Sequence, residues 1–390
     1  MKKNVFTKEE YFLIIMLSLA LGIRQMAMTL VMPFISTYSK TLINNTPALA
    51  GVALGIFGLT QAMFQIPYGI LSDKIGNKKV MLVGLLQVIL GLIIAYFSKD
   101  IYTFIFARAL QGSGAIIGVG YSWIGGAVPE TKRVRALSVL GVIIGFSAVV
   151  SFGVGPIIHK FLSLKQMFLI CAILIFLCLI YILFFIKEER SNTVLASKSD
   201  IKKGIKILLK NKDFVKLNLA AFFNNFIMVS VFYFVPIYLD KITGINGMWK
   251  VFLPAVIIAV ICMRISVKFV ERGYSRQILI TSFTTTLIGI CFYFKKSSFV
   301  FILIGSILFM IGYICLSTII SSNANNIAEE SNRGTANGII NSFQYIGSFI
   351  GSVMTGVLWC KSEFITLILM ILISILGIIT IFNCNFKHVQ

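Results

Sequence analysis

Apolar residues in this chain do not alternate with polar ones. They run in blocks of helix length, and short polar stretches rich in lysine separate the blocks. Twelve blocks follow one another, over 11–34, 50–71, 80–97, 102–128, 136–158 and 165–186, then 214–239, 249–269, 277–294, 299–322, 334–359 and 364–382. About 20 apolar residues cross the hydrocarbon core of a bilayer as a helix. Unsatisfied backbone in lipid leaves only helices or closed barrels as spanning structures, and the missing period-two pattern excludes a barrel. The pattern predicts an all-α, polytopic membrane protein with twelve transmembrane helices. A lysine-rich polar stretch divides it into two six-helix halves, 1–188 and 213–390, joined by a linker over 189–212. In the linker region Ile201, Ile205, Leu208 and Leu209 are spaced for an amphipathic helix on the membrane surface.

Composition agrees, since 58% of the residues are hydrophobic and 13% charged, too little polar surface for a soluble chain of 390 residues. A net charge of +21 would suit a nucleic-acid partner, but the basic residues sit in the short loops, so topology explains them and no nucleic acid is expected. Placing the N-terminus inside assigns 23 Lys and Arg to the cytoplasmic side and 9 to the other, with Arg24, Arg108 and Arg264 inside spans. Basic residues mark cytoplasmic loops, so both termini and the linker are expected in the cytoplasm, which requires an even number of spans. The first span is too long for a removable signal and follows Glu9 and Glu10, so it is expected to stay. Seven scattered cysteines include no C-x-x-C pair and read as small packing residues, with no metal site or disulfide framework.

Between the second and third blocks the chain reads Gly69-Ile70-Leu71-Ser72-Asp73-Lys74-Ile75-Gly76-Asn77-Lys78-Lys79. Spaced as G-x-x-x-D-[RK]-x-G-x-[RK]-[RK], this loop resembles the signature between helices two and three of the major facilitator superfamily. Arg108-Ala109-Leu110-Gln111-Gly112-Ser113-Gly114 resembles the R-x-x-Q-G-x-G motif of that family's fourth helix. The segment from Gly141 to Gly155-Pro156 resembles, in degraded form, the glycine-rich fifth helix of its proton antiporters. Ser151, His159 and Lys160 stand where that segment usually has glycine. The run from Arg24 to Pro156, with Gly334 to Gly356, is most similar to YajR-type members of the drug:proton antiporter branch. Glu271-Arg272-Gly273 after the eighth block occupies the place of the signature loop in the second half, a weak internal repeat. The resemblance implies two pseudo-symmetric halves rocking about a site near the midplane.

What the loop implies is a conformational latch of Gly69, Asp73, Lys74, Gly76, Lys78 and Lys79. In the family the aspartate packs near the start of helix eleven, here Arg333-Gly334-Thr335, when the transporter faces outward. A carboxylate at a helix N-terminus gains roughly 0.3–1 kcal/mol, small enough to break in each cycle. The family's partner acid at the end of helix four is replaced by Gly126, with Glu130 nearby. Proton-coupling candidates are Arg108 and Gln111 of the fourth-span motif, Asp73, and His159 near the outer face.

Arginine inside a span costs at least about 2.5–3.5 kcal/mol at the centre, so Arg24 is expected either to line a substrate cavity or to bond carbonyls structurally. Arg264 lies near a span end and is expected to snorkel. Gln61, Gln65, Tyr121, Asn224, Asn225, Tyr233, Asn341 and Gln344 are the neutral polar candidates for the cavity; such residues otherwise hold helices together. All 14 acidic residues fall in loops or at span ends, so the chain lacks the interior carboxylate expected of a carrier for cations. No nucleotide-binding or hydrolase motif is present, so no enzyme activity and no cofactor are expected, and gradients must drive transport. The expected function is secondary active transport of a small solute across a bacterial-type inner membrane by alternating access, with proton-coupled efflux in first place. An importer or facilitator for an organic anion or neutral solute on the same fold is the alternative, and a membrane receptor or scaffold without flux is a third. The partners expected are the solute, protons and the bilayer, with the chain acting as a monomer.

Overall fold

The computed structural model describes residues 6–186, 205–329, 333–382 and 384. The first half is built from α1 (Lys8–Leu30), a distal turn with the short α2 (Ile35–Ser39), α3 (Pro47–Ile75) and α4 (Asn77–Phe97). It continues with α5 (Ile101–Ser113), α6 (Ile117–Ala127), α7 (Glu130–His159) and α8 (Leu164–Phe185). The second half comprises α9 (Lys212–Thr243), α10 (Trp249–Glu271), α11 (Ser275–Phe292), α12 (Phe299–Ile327), α13 (Arg333–Lys361) and α14 (Glu363–Phe382). Among the described residues eleven helical segments are individually long and apolar enough to span a bilayer, and α5 with α6 forms the twelfth crossing. The linker expected over 189–212 lies outside the described residues up to 204, Ile201 included. Residues 205–210 are helical, and Leu208 is buried against the second half.

Polar residues set where the helices start. Thr7 and Glu10 form a capping box at α1, with the Thr7 N–H donating to the Glu10 carboxylate at 2.8 Å. Asp100 caps α5, and Ser163 with Gln166 caps α8. Alternate helices run in opposite directions, so the bundle has a basal end, where α1 begins and α14 ends, and a distal end opposite. Large apolar side chains such as Leu90 on α4 and Leu177 and Phe184 on α8 are exposed, the surface expected in lipid rather than in water. At the centre of the second half, every residue of α9 from 224 to 239 is buried.

The fourth span is not the continuous helix that the apolar run over 102–128 predicts. It breaks at Gly114, whose ψ of 59° lies outside the helical range, and resumes at Ile117. Tight packing explains why glycine stands at the break, because a Cβ on Gly114 would come within 2.6 Å of Val88 Cγ2 on α4. The interruption frees backbone groups, and the Gly114 carbonyl then accepts a side-chain hydrogen bond at the centre of the bundle.

The two halves share two local features. Gly76 ends α3 with φ of 99° and Gly273 follows α10 with φ of 94°, so both basal loops turn at a glycine in a region that side chains avoid. Arg133 at the start of α7 donates from Nε to the Gly125 carbonyl at 2.8 Å. Arg333 at the start of α13 donates to the Asn325 carbonyl at 3.3 Å across the same span of eight residues.

Glycines measure how the halves meet. Along α3, a Cβ on Gly55 would lie 2.9 Å from Phe349 Cα of α13, and one on Gly58 would lie 3.0 Å from the Tyr345 carbonyl. Further toward the basal end, Gly69 on α3 and Gly338 and Gly334 on α13 would meet nothing within 4 Å. The pair α7 and α10 behaves alike, with Gly153 close to Leu253 while Gly145 has open space. Phe152 of α7 stacks on Phe232 of α9 at 4.7 Å, and the Tyr233 hydroxyl donates to the Pro47 carbonyl at 2.9 Å. The halves are therefore joined along their distal portions and part toward the basal end.

Candidate functional site

The seam between the halves ends, halfway along α3, at a chain of polar groups. Arg24 of α1 is fully buried, and its Nη2 donates to Gln61 Oε1 and to the Gly114 carbonyl, each at 3.1 Å. Gln61 Nε2 donates in turn to the Tyr345 hydroxyl of α13 at 2.7 Å. One side-chain amide thus links a buried cation of the first half to the second half. The Arg24 and Arg108 guanidinium carbons lie 5.7 Å and 5.1 Å from the centroid of the same ring, Phe57. Arg108 donates to Gln111 Oε1 at 2.5 Å, and Gln111 Nε2 donates to the Gly91 carbonyl at 3.0 Å. Gln111 is thereby committed on both sides of its amide, which fixes where Arg108 points. Neither arginine has a carboxylate partner among the described residues.

Other cavity candidates lie around this centre in different ways. Gln65, one turn basal of Gln61, has a buried Oε1 without a hydrogen-bond partner. Tyr121 of α6 is half-buried, and its hydroxyl would lie 3.1 Å from a Cβ on Gly141 of α7. Asn341 and Gln344 are half-buried, and Asn341 sits one turn basal of Tyr345 on α13. Asn224 donates to the Ser317 hydroxyl at 3.0 Å and so ties α9 to α12. Asn225 bonds back to the Ala221 carbonyl of its own helix at 3.1 Å. Tyr233 belongs to the distal seam, away from the Arg24 group. Arg264 is exposed on α10. Of the seven free cysteines, Cys171, Cys178, Cys315 and Cys384 are buried, whereas Cys291 and Cys360 are exposed instead of packing inside.

The loop residues sit at the basal end. Asp73 is exposed, and its carboxylate takes part in no hydrogen bond or ion pair among the described residues. Lys78 donates to the Leu183 and Ile186 carbonyls at 2.8 and 2.7 Å, so it caps the end of α8. Lys74 and Lys79 are exposed, and Gly69 and Gly76 frame the turn. His159 lies at the other end of the bundle, tilted against Phe34 with ring centroids 4.1 Å apart, and with Nδ1 2.9 Å from the Leu162 carbonyl. It borders a shallow cavity of about 550 Å³ between the halves, whose far wall includes Asp240 and Asn246. At the same distal end burial pushes the Lys40 ammonium below its usual range, the opposite charge of Asp240 partly restores it, and the like charge of Lys241 lowers it again. No group of three metal-ligating side chains occurs among the described residues.

Sequence reasoning missed Phe57, Tyr345 and the Gly114 carbonyl. Phe57 precedes Gln61 by one helical turn, so spacing could have found it. Gly114 could be found only by anticipating the break.

The chain belongs to the Major Facilitator Superfamily, whose profile matches residues 17–352. It is 32% identical over 371 residues to an uncharacterized transporter of Buchnera aphidicola subsp. Baizongia pistaciae (strain Bp), covering 92% of this chain and 93% of that one. Against the inner membrane transport protein YajR of Escherichia coli (strain K12) the identity is 28% over 346 residues, with 88% and 76% covered. The fold matches a bacterial homolog of the human lysosomal transporter Spinster, solved inward-facing and occupied, with a TM-score of 0.75 at 12% identity and 97% of both chains covered. This is a multi-pass membrane transporter of the secondary type and not an enzyme.

Proposed function

We propose that this member of the Major Facilitator Superfamily exports a small solute by alternating access, in exchange for protons, from a cytoplasm that its basal end faces. One observation carries the reading. The halves are sealed distally and parted basally, and the Arg24–Gln61–Tyr345 chain lies where the seal stops. A solute entering from the basal side reaches those groups at mid-height, and closing the basal ends would enclose it. The excess of basic residues in the basal loops supports cytoplasmic termini. Export and proton exchange are supported by the antiporter-like segments around Arg108 and through Gly141 to Pro156.

In this reading Asp73, Lys74, Lys78 and Lys79, framed by Gly69 and Gly76, form a latch that engages the start of α13 when the basal ends close. The exposed, unpartnered state of Asp73 is the disengaged position. Arg108 is always protonated, so it would act on protons only through a neighbour or a bound solute; Asp73 and His159 are the groups proposed to exchange them. Gln65, Tyr121, Asn341 and Gln344 line the solute's route from the basal side, and the protein works as a monomer.

A second reading, import or facilitated passage of an anionic or neutral solute, is favoured by one specific observation. Every acidic residue described here lies in a loop or near the end of a span, whereas Arg24 and Arg108 are buried within spans. Proteoliposomes separate the two. A thermal-shift screen first identifies a ligand, and a proton gradient is then imposed. Accumulation that collapses with the gradient supports exchange, and accumulation indifferent to it leaves the facilitator.

A further inference from the structure

We infer that Arg24, Arg108 and Phe57 form a buried site for a small anion at the centre of the first half. Both guanidinium groups are withdrawn from solvent, Arg24 wholly and Arg108 to within 2%. Arg24 Nε and Nη1 and Arg108 Nε are buried without a hydrogen-bond partner. Five N–H donors surround a guanidinium, and it cannot escape its charge by losing a proton. Two such cations against one ring repel each other, and the ring's face offers only a partial negative charge. An anion is what this arrangement lacks, because a buried charge persists only when paired and hydrogen-bonded.

Geometry says what kind of anion fits. The donors left over on Arg24 are those not already given to Gln61 and Gly114. They are N–H groups of a planar cation, suited to oxyanions and halides alike. The polar groups already engaged around the two guanidinium groups are Gln61, Gln111 and the Gly114 carbonyl, all of them neutral. That favours a compact, weakly hydrated anion: chloride, nitrate, or the carboxylate of an aromatic solute. Occupancy would also reach the other half. Gln61 holds Arg24 on one side and Tyr345 on the other, so a competing acceptor on Arg24 loosens the same amide that bonds α13. The inference rests on the proposed transport only for the route by which a solute's carboxylate would enter.

Binding can be read without any flux, so its failure differs from a failure of the transport reading. Purified protein is melted in sodium gluconate, a bulky and strongly hydrated anion, as the reference. Chloride, nitrate or benzoate then replaces it at constant ionic strength. A rise in Tm that saturates with concentration is expected. It should be abolished in Arg24→Gln and reduced in Arg24→Lys, and it should be unchanged in Arg272→Gln, which alters a basal loop. Saturation by chloride or nitrate identifies a resident inorganic counter-ion, and saturation by benzoate alone identifies the anionic group of the carried solute. If Arg24→Gln does not fold, the wild-type titration still decides, together with Arg108→Gln. No saturable, anion-specific rise in the wild type, or an undiminished rise in Arg24→Gln, overturns the site.

Discussion

Replacing Gly55 by alanine adds one methyl group to α3 where the halves meet, and the structure leaves it no room. Its Cβ would lie 2.9 Å from Phe349 Cα and 3.2 Å from the Phe349 carbonyl oxygen, and it would overlap the Ser352 hydroxyl. Backbone atoms of α13 cannot rotate aside, so the two helices have to separate. Overpacking of this kind costs about 1–3 kcal/mol. The clash exists only while the distal ends are together, so the cost falls on one of the two states. As a bias between states, about 1–3 kcal/mol is a population shift of about 5–150-fold. The better helix propensity of alanine, about 1 kcal/mol, applies to both states and cancels.

Gly69 supplies the internal control. It lies on the same face of α3 nearer the basal end, and a Cβ there meets nothing within 4 Å. Alanine at Gly69 leaves the observed state unstrained and can only hinder closure of the basal ends. Spin labels on cysteines placed at the exposed distal positions 160 and 246, in a background without the native cysteines, report the distance between the halves. Gly55→Ala is expected to enlarge a longer-distance population, and Gly69→Ala to leave or narrow the short one. An unchanged distribution in Gly55→Ala, or movement of both variants in the same direction, refutes the reasoning.

Tyr233→Phe removes the hydroxyl that bonds Pro47 across the distal seam, a loss of about 0.5–1.5 kcal/mol. The same labels should report a shift toward distal opening, smaller than that of Gly55→Ala. Asp73→Asn keeps volume and removes the latch charge, so flux per inserted protein should fall at least tenfold while the melting temperature in detergent stays within a few degrees. At α5, hydrogen bonds from the Thr103 hydroxyl at 2.6 Å and the Thr103 N–H at 2.9 Å hold the Asp100 carboxyl below its usual range. A carboxyl depressed by folding stabilises above its unfolded pKa and loses that contribution as pH falls through its folded pKa. The melting temperature of Asp100→Ala should therefore lie below wild type at neutral pH, with the gap closing under acid conditions.

What the chain displayed in sequence was whatever is local. Lipid leaves long apolar runs, and the positions of the twelve crossings followed from them to within a few residues. The signature loop was legible because its turn needs glycine at Gly76 and polar groups beside it within one short stretch. Arg24 was marked as costly by its apolar surroundings, but its partners were hidden, being 37 residues away at Gln61 and 90 away at Gly114. Gly112 and Gly114 were visible as part of the fourth-helix motif, which gave no sign that the helix breaks at Gly114. Which end of the bundle stands open could not be read at all, because one sequence must serve both states.

Nothing in the sequence marked Arg133 and Arg333 as ties between helices, yet each bonds a carbonyl eight residues earlier and ties two consecutive helices. Lys78 does similar work between the loop and α8. These ties lie within halves, whereas the bonds that cross between halves are few and pass through single groups, the Tyr233 hydroxyl and the Gln61 amide among them. A bundle stiff inside its halves and lightly joined between them concentrates its conformational change at the seam. The cost of moving from one state to the other is then set by a few contact positions. Gly51, Gly55 and Gly58 permit close approach distally, Gly69 and Gly338 stand apart basally, and Gln61 sits between them bonded to both a buried cation and the opposite half. An anion or solute that takes Gln61's place on Arg24 acts at the point where the smallest change of hydrogen bonding separates the two helices.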